Sequence, residues 1–420
     1  MRNQGDPSIS PEPCARRPLF FSGGTALGPV ASALARRAPH AVHVITTFDS
    51  GGSSAVLRDA FSMPAVGDVR ARLAALADPG AEGIAALLRL FTARLPGTPP
   101  PSGDLTREAT DGPPTAPRPV PRDLVRELEA LAAGEHPLAR DLAPAAARWA
   151  RDRLTSFLEH MPPGLDLAGA SLGNLILTAA YLTSGRSLRA AAEDAARPLG
   201  VRGAVLPVAE ASAHLCVRLG NGERIIGQHR FTGKISGRIA PPIQSPIRKL
   251  WLAASLDDPA PIRAPLAPGL AETIRTADLI CYPVGSFFSS VLANLLPQGV
   301  SEAVRAADCP KVFLPNPASD PELFGLGVRD QVNFLLGRLL PPSGAGAPGK
   351  RREGVGRSLS LLLVDVDERR YAGGIPRAWL ERIGVRVVRA PLVTPASEPY
   401  LDADRACDQI MALLMRRDQG

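Results

Sequence analysis

The most constraining feature of this sequence is a repeated order in which a short apolar strand runs into a glycine- and serine-rich turn and then a helix. Residues 18–22 precede GGTALGP and a helical segment, and residues 41–48 precede Asp49, GGSSA and another helical segment. In the same way, residues 277–283 run into VGSFFSSV, and residues 311–315 run into NPASD. Strands that alternate with helices are typical of a parallel sheet with crossover helices. The order therefore predicts an α/β fold with a mainly parallel sheet.

Composition divides the rest of the chain around this core. Proline-rich stretches cannot sustain a helix or a strand ladder, so they mark loops and linkers. The predicted segments are a disordered tail (1–17), the first part of the sheet domain (18–91), a Pro-rich loop with a helical insertion (92–158), the rest of the ligand-binding core (159–340), a Gly/Pro linker (341–357) and C-terminal strands and a helix that complete the core (358–420).

Helical and strand patterns within these segments give further expectations. Residues 68–77 predict a helix capped by Asp68, and residues 122–158 predict helices that form a lid or a packed addition. A buried helix is expected from Asn174, and an amphipathic helix at residues 402–416. Further strands are expected at 203–208, 359–366 and 385–390.

The cysteine, histidine and charge content limits the kinds of site that the chain can hold. Its five cysteines form no CxxC pair and its six histidines no HxxxH or HExxH pattern, so we expect reduced thiols and no zinc site of these types. The net charge of +7 comes mostly from scattered arginines, which argues against a nucleic-acid partner. Because no apolar run is long enough for a signal peptide or a membrane span, we expect a cytoplasmic protein with no membrane partner.

Three of the turns predict one binding site for a phosphate-bearing ligand. They cover residues 23–28, 49–54 and 285–290, and each stands where a strand feeds a helix. Glycines let the backbone approach a ligand closely, and free amides at a helix start attract anions. Asp49, directly after its strand, suits Mg²⁺ or a ribose or substrate hydroxyl. Each turn alone also fits a purely structural cap, but three together favour ligand binding.

Other motifs are weaker. Residues 169–173 spell the G-x-S-x-G elbow of serine hydrolases around Ser171, but the preceding segment is too rich in Pro and Gly for the required strand. Residues 227–234 have five residues between their glycines where a Walker A loop has four, so they form no P-loop. An NAD(P)-dependent Rossmann enzyme stays a third interpretation, because Asp49 lies at about the right distance to hold a ribose.

The strings SGGTALGP, TFDSGGSSA, GASLGN and GSFFSS, in this order, resemble the CofD/YvcK family. The likeness extends from about residue 19 to residue 336, apart from an insertion near residues 92–150. The DxGGSS and GSxxxS segments are specific to that family. The combination of TFDSGGSSA with GASLGN is most similar to the CofD-like branch that accompanies ATP-grasp and kinase-like proteins in bacteria.

This resemblance implies a modified Rossmann-like, three-layer fold with the ligand at the carboxyl ends of the strands. It also implies one of two functions. CofD is a 2-phospho-L-lactate transferase that uses a nucleotide diphosphate donor and Mg²⁺, whereas YvcK-like members bind nucleotide sugars and regulate metabolism. The ligand-facing residues that the resemblance implies are Gly23, Gly24, Thr25, Asp49, Gly51, Gly52, Ser53, Ser54, Asn174, Gly285, Ser286 and Ser289.

One departure from the family pattern concerns the metal. Relatives commonly carry two adjacent aspartates before the glycine pair, but here the second position is Ser50. Asp49 is then the expected Mg²⁺ ligand and catalytic residue, with Asp68 or Asp320 as a substitute for the missing carboxylate. The first expectation is a transferase that moves a phosphate-linked group to an acceptor hydroxyl; the alternative is a nucleotide-sugar-binding regulator. A homodimer is an ordinary expectation for either.

Overall fold

The computed structural model describes residues 14–97, 122–232, 234–235, 238–239, 243–341 and 348–415. The strands are β1 (Pro18–Ser22), β2 (Val42–Ile45), β3 (Ala204–Pro207), β4 (His214–Leu219), β5 (Arg224–Ile226), β6 (Lys234–Ile235), β7 (Arg238–Ile239), β8 (Ile247–Ala253), β9 (Pro261–Ile262), β10 (Leu279–Tyr282), β11 (Lys311–Phe313), β12 (Leu361–Asp365) and β13 (Arg386–Ala390).

The α-helices lie between and after these strands. They are α1 (Gly28–Arg37), α2 (Gly52–Phe61), α3 (Gly67–Leu76), α4 (Ile84–Thr92), α5 (Arg122–Ala133), α6 (Pro137–Arg140), α7 (Pro144–His160), α8 (Leu172–Thr183), α9 (Leu188–Ala196), α10 (Gln228–Phe231), α11 (Leu270–Arg275), α12 (Val300–Ala306), α13 (Val328–Leu339), α14 (Pro348–Ser358), α15 (Arg377–Ile383) and α16 (Ala403–Met415). None of these helices has the length and apolar character that crossing a lipid bilayer requires.

A seven-stranded sheet organises the molecule in the order β13-β12-β11-β10-β1-β2-β3, and every neighbouring pair in it is parallel. From β1 the chain winds outward through β2 to β3, then returns to the centre at β10 and winds outward the other way. The strand order therefore reverses between β1 and β10, as in doubly wound folds. The predicted α/β class with a mainly parallel sheet is confirmed.

Successive residues of β1 show why this sheet is buried on both faces. Phe20 points into one core and stacks on His43 at 5.2 Å between ring centres, whereas Phe21 points into the opposite core and stacks on Tyr282 at 5.9 Å. Side chains alternate along a strand, so a continuous apolar run supplies both cores. Helices cover each face, which gives the three layers of a Rossmann-like fold.

The helical insertion packs on the first of these cores. Leu128 of α5 and Leu154 and Phe157 of α7 are buried in it, and α7 lies against α8. The expected helices at 122–158 are therefore a packed addition and not a lid. The Pro-rich loop expected before them falls mostly at residues 98–121, which lie outside the described residues, as do residues 1–13 of the expected tail.

Three features differ from the sequence expectations. Helix α3 begins at Gly67, so Asp68 lies within its first turn and does not precede it as a cap. The expected linker at 341–357 contains helix α14, whose Val355 is buried against the second core, because that contact outweighs the poor helix propensity of its glycines. An antiparallel sheet, β5-β4-β8-β9, was not expected at all.

Candidate functional site

The predicted turns meet at the edge of the parallel sheet where its strands end. Strands β1 and β10 lie side by side there, at the point where the strand order reverses. In open α/β sheets, ligands bind in the crevice beyond the carboxyl ends of the strands at such a point. Asn294 fixes the two ends together, because its Nδ2 donates a hydrogen bond to the Ser22 carbonyl at 3.0 Å.

The turn after β1 leaves no room for side chains at its two glycines. A Cβ atom at Gly24 would lie 2.6 Å from Oδ1 and 2.9 Å from the Cα of Asp68, and a Cβ atom at Gly23 would lie 2.4 Å from the Oγ of Ser290. These glycines therefore let the turn fit between the start of α3 and the turn after β10. Thr25, the third predicted residue of this turn, is exposed.

A buried arginine donates hydrogen bonds to the same turn. Arg72 in α3 is fully buried, and its Nη2 donates to the Gly23 carbonyl at 2.8 Å and to the Ser22 hydroxyl at 3.3 Å. Burial lowers the pKa of Arg72 to about 10, although Asp68 acts in the opposite direction, so the guanidinium is still charged at neutral pH. The backbone of the turn after β1 is thus fixed by a buried cation from α3.

The Asp49 loop follows β2 and folds over its own carboxylate. The amide of Gly51 donates to Asp49 Oδ1 at 3.0 Å, and the Asp49 carbonyl accepts a hydrogen bond from Arg58 Nη1 at 2.7 Å. A Cβ atom at Gly67 would lie 2.5 Å from the Oγ of Ser54 and 3.4 Å from Asp49 Oδ2. The start of α3 therefore lies directly against the Asp49 loop, as well as against the β1 turn.

Ser53 and Asn174 connect two of the predicted motifs. Both side chains are buried, and Asn174 Nδ2 donates to Ser53 Oγ at 3.0 Å. The Oδ1 atom of Asn174 is buried with no hydrogen-bond partner among the described residues. Ser53 lies in the first turn of α2 and Asn174 in the first turn of α8, so two helix starts converge here.

Two arginines that sequence reasoning missed flank the start of α8. The Cδ atom of Arg70 lies 2.9 Å from where a Cβ atom of Gly173 would stand, and Arg94 Nη1 donates to the Gly169 carbonyl at 3.1 Å. Burial, with the nearby charge of Arg94, lowers the pKa of Arg70, while Asp68 raises it. Neither arginine belongs to a recognisable motif. Because the chain contains many scattered arginines, the sequence alone did not single these two out.

Ser50, at the position of the departure from the family pattern, is buried and bonded to a histidine. Its Oγ lies 2.9 Å from Nδ1 of His229, which belongs to α10. Burial and the charge of Arg230 lower the pKa of His229 to about 4, so the imidazole is neutral at neutral pH. A neutral ring and a hydroxyl therefore occupy the place of the second carboxylate.

The turn after β10 has a different internal structure from the one expected. Residues Phe287–Val291 form a π-helical turn, and its amides are bound by carboxylates. Asp320 Oδ2 accepts from the Phe287 amide at 2.8 Å, and Glu322 Oε2 accepts from the amides of Phe288 and Ser289 at 2.8 and 2.9 Å. Ser289 is fully buried and its hydroxyl donates to Glu322.

These hydrogen bonds determine which residues of the turn after β10 are available to a ligand. Gly285 has a φ of 156°, and Ser286 is half-buried and accepts the Ser290 amide at 3.0 Å through its carbonyl. Side-chain oxygens of Asp320 and Glu322 accept hydrogen bonds from the helix-start amides, which in the other turns would attract an anion. Ser289 thus stabilises the turn from inside, and ligand contact by Gly285 and Ser286 stays a prediction.

The residues at this edge are compatible with Mg²⁺ bound largely through ligand phosphates. Asp49 and Asp68 both lie around the first turn of α3, and Mg²⁺ commonly takes one or two carboxylates together with phosphate oxygens. Asp320, the other predicted substitute, binds the Phe287 amide instead. In the described part of the chain, no group of three or more His, Cys, Asp or Glu side chains is arranged to hold a metal by itself.

The serine-hydrolase geometry is not present around Ser171. Ser171 directly precedes α8 and itself forms an isolated bridge with Arg94, and no strand among the described residues leads into it. Asp194, the one aspartate between Ser171 and His214 in the sequence, accepts hydrogen bonds from Arg153 and Trp149. A strand before the serine and a free acid are both required for that chemistry, so this motif has a structural role.

Comparison with known proteins places the chain among relatives of one family. The sequence model of the family described as 2-phospho-L-lactate transferase CofD matches residues 19–339. The gluconeogenesis factor of Bacillus subtilis is 27% identical over 317 residues, which are 75% of this chain and 73% of that protein. That of Halalkalibacterium halodurans is 32% identical over 160 residues, 38% of this chain and 44% of that protein.

A solved structure supports the fold. The crystal structure of a UPF0052 family member from Bacillus halodurans aligns with a TM-score of 0.62 over 94% of this chain and 98% of that one. At 21% identity, this likeness concerns the fold alone. Neither the family match nor these relatives support the third interpretation, an NAD(P)-dependent enzyme.

Proposed function

Because the chain belongs to the CofD family, we propose that it binds a nucleoside-diphosphate ligand, such as a nucleotide sugar, and acts as a YvcK-type regulator without transferring the bound group. The site is the sheet edge where the turns after β1 and β2 meet the start of α8. The observation that carries the proposal is the buried hydrogen bond between Ser50 and His229, which places neutral groups where relatives carry a second carboxylate beside the first.

The cationic groups at this edge support a diphosphate ligand. Arg70 and Arg94 lie beside the start of α8, and the Nε atom of Arg70 is buried with no hydrogen-bond partner among the described residues. Arginine is well suited to phosphate oxygens because its planar guanidinium offers several donors. The start of α2 adds backbone amides next to the Asp49 loop, where an anion is stabilised.

The carboxylates at this edge favour binding over transfer. Phosphoryl-type transfer develops charge on the bridging oxygens, and bound metal ions with several anionic ligands usually neutralise it. Here Asp49 already accepts a hydrogen bond from Gly51, and the next position is the neutral Ser50. We expect ligand affinity that depends little on Mg²⁺, and no product.

A phospholactate-type transferase is the second candidate, and one observation favours it. Asp68 follows Gly67, which touches Asp49, so a second carboxylate stands at the same edge although it comes from another part of the chain. With Mg²⁺ bound there, the metal would supply charge neutralisation on donor phosphates. Asp49 would then orient the acceptor hydroxyl by accepting its proton.

Calorimetric titration of the full chain with UDP-sugars, UDP and GDP, each with and without Mg²⁺, tests the proposal. We expect saturable binding of a nucleotide diphosphate that changes less than about threefold on removal of Mg²⁺. Substitution Arg70→Gln should weaken binding by about tenfold or more, since it removes a charged hydrogen-bond donor. Arg36→Gln, at the exposed end of α1, is the matched control and should leave the affinity unchanged.

The second half of the test is a search for product. The protein is incubated with the bound nucleotide, Mg²⁺ and hydroxyl acceptors, and the mixture is followed by mass spectrometry. A transferred group would overturn the regulator and support the transferase, most clearly if Asp68→Asn abolished it. Size-exclusion chromatography with light scattering in the same buffers would test the expected homodimer.

A further inference from the structure

A cavity of about 460 Å³ lies away from the turns after β1 and β10, between α2, β4 and the segment that follows β8. We call it the α2 cavity. Its size falls within the range of small-molecule sites in proteins. Among the residues that line it are Arg58, Asp59, His214, Arg230, Ser255 and Asp257.

A much smaller inner cavity of about 20 Å³ adjoins it and has room for about one water molecule. Arg58, Asp59, His214 and Leu256 line both cavities, whereas Ser50 and His229 line only the inner one. The α2 cavity is thus separated from the Asp49 loop by one layer of polar side chains.

Buried nitrogen atoms without a partner among the described residues mark the inner end of the α2 cavity. Arg58 and His229 are each 2% exposed, and His214 is 8% exposed. The Nε atom of Arg58, the Nδ1 atom of His214 and the Nε2 atom of His229 have no hydrogen-bond partner among the described residues. A buried polar group without a partner is costly, so three in one place indicate that a polar ligand belongs there. The Nε–H group of Arg58 requires an acceptor, and a neutral imidazole nitrogen donates or accepts according to its tautomer.

The two Nη atoms of Arg58 each donate one hydrogen bond, which fixes the position of the guanidinium. Nη1 donates to the Asp49 carbonyl at 2.7 Å, and Nη2 donates to the Ala213 carbonyl at 2.6 Å. The Nε–H group has no hydrogen-bond partner among the described residues, and Arg58 lines both cavities. Arg58 keeps its charge at neutral pH, because burial lowers its pKa only to about 10.

We propose that the α2 cavity binds a small metabolite that carries one oxyanion, a phosphate or a carboxylate, next to one or more hydroxyl groups. The oxyanion lies against Arg58 and His214. The hydroxyl groups face the serines and carboxylates nearer to solvent. A phosphorylated and a carboxylated metabolite can both present this pattern, and they differ only in the anionic group.

The charges at the mouth of the cavity select against a second anionic group. Asp59 and Asp257 are exposed there, and Arg230 is half-exposed. Exposed carboxylates accept hydrogen bonds from hydroxyl groups and repel another phosphate or carboxylate. A hydroxy acid or a sugar phosphate with a single anionic end therefore fits better than a dianionic chain.

Occupation of the α2 cavity also acts on the Asp49 loop, a step that rests on the function proposed above. Arg58 contacts the Asp49 carbonyl, and His229 contacts Ser50, so both residues that face the cavities hold the loop of the nucleotide site. If the metabolite changes the affinity for the nucleotide, the nucleotide must change the affinity for the metabolite by the same factor.

Titration calorimetry of the full chain with three matched probes tests the site. Glycerol 3-phosphate and glycerate carry the two oxyanions on similar hydroxylated skeletons, and glycerol carries none. We expect saturable binding of one of the two acids and none of glycerol; which acid binds identifies the anionic group. Absence of binding by both acids, or equal binding of glycerol, would overturn the proposal.

Variants locate the site and control for folding. His214→Gln and Arg230→Ala should each weaken binding of the acid, the former by about tenfold or more. His160→Gln makes the same change on the exposed end of α7 and should leave the affinity unchanged. Circular dichroism melting confirms that each variant is folded. Unchanged affinity in both cavity variants would place the acid elsewhere and contradict the proposal.

The coupling is measured separately, by titrating the nucleotide with and without saturating acid. If no nucleotide binds, the function proposed above fails while the acid titration still tests the α2 cavity. If both ligands bind with unchanged affinities in each other's presence, the coupling is wrong and the site stands.

Discussion

The turns after β2 and β10 have similar sequences but different hydrogen-bond partners. Each strand is followed by small residues and a helical turn, DSGGSS in one case and GSFFSS in the other. After β2, the loop is held by its own Asp49, by Arg58 and by the neutral pair Ser50–His229. After β10, the amides are held by two carboxylates, Asp320 and Glu322, which come from the connection after β11.

The difference shows that the sequence of a glycine- and serine-rich turn does not decide whether its backbone amides can bind an anion. Backbone amides at a helix start attract anions, but an internal carboxylate can occupy them as well as a ligand can. The β10 turn is saturated from within, whereas the β2 turn lies next to arginines and to unpartnered polar atoms. The turn after β2, with the side chains that hold it, is therefore the better candidate for ligand binding, and we call it the β2 side. The turn after β10, with Asp320 and Glu322, has a structural role, and we call it the β10 side.

The largest expected effect is that acid destabilises the β2 side. Burial lowers the pKa of His229 to about 4 and that of His214 to about 3, whereas both titrate near their ordinary value of 6.5 once unfolded. Protonation then favours the unfolded chain, so stability present above pH 6.5 is lost as the pH falls toward 4. We expect each histidine to contribute a loss of about 2 kcal/mol between pH 7 and pH 5.

Urea denaturation at the two pH values measures this loss. In His229→Gln the difference between pH 7 and pH 5 should shrink by about 2 kcal/mol. His160→Gln makes the same substitution at the exposed end of α7 and is the control for the exchange itself. An unaltered pH dependence in the first variant would mean that this imidazole is not kept neutral by burial.

Glu322 on the β10 side should respond to pH in the opposite direction. Burial and the neighbouring Asp320 raise the pKa of Glu322, so its contribution is fully present below its unfolded value of 4.5 and is lost as the pH rises through the folded value. Glu322→Ala leaves the amides of Phe288 and Ser289 buried without partners, and should lower the free energy of unfolding by about 3 kcal/mol.

The isosteric variant Glu322→Gln separates charge from hydrogen bonding. Its amide oxygen still accepts from the turn, so it should cost clearly less than the alanine variant in the same urea experiment. It should also remove the loss of stability between pH 5 and pH 8. Equal costs for the two variants would show that the negative charge, and not the accepting oxygen, holds the β10 turn.

An intermediate effect is expected at the β1 turn, which lies between the two. A methyl group at Gly24 meets the backbone of Asp68, which cannot move without shifting α3, so Gly24→Ala should cost about 2 kcal/mol. Gly28→Ala is the matched control, because no atom of the described residues lies within 4 Å of its Cβ position at the start of α1. Thermal melting should show it unchanged or slightly stabilised. Similar melting temperatures for both variants would contradict the close fit.

The two variants with the smallest expected effects on stability should distinguish a residue that binds the ligand from one that only stabilises its turn. Asn174→Ala and Ser289→Ala each remove one buried side-chain hydrogen bond, and each should cost about 1 kcal/mol. Nucleotide binding, measured by calorimetry, should weaken in the Asn174 variant and stay unchanged in the Ser289 variant. The reverse result would move the ligand site to the β10 side.

Local pattern predicted the parallel sheet well because each of its strands carries its own signal. An apolar run followed directly by a turn identified β1, β2, β10 and β11, and their order indicated crossover helices. The antiparallel sheet was missed because β8 carries Arg248 and Lys249 within its run, and its partner β4 lies about thirty residues earlier in the chain. Helix α14 was missed because its glycines mask one buried valine.

The site was predictable as a set of turns, but not in its hydrogen-bond partners. Gly23, Asp49 and Asn174 follow strands or begin helices, so their convergence at one edge follows from topology. The side chains that decide the chemistry of each turn come from elsewhere: His229 lies far from Ser50 in the chain, and Glu322 lies far from Ser289. Only the folded chain brings them together.

The central position of β1 has a consequence for how the molecule forms during synthesis. One of the two neighbours of β1 in the sheet is β10, whose residues follow β1 by more than 250 positions and therefore leave the ribosome much later. Until then that side of β1 has unsatisfied peptide groups and is exposed to misassociation. The nascent chain therefore depends on late-made residues to complete its centre, and truncation before β10 should yield aggregates instead of a smaller folded unit.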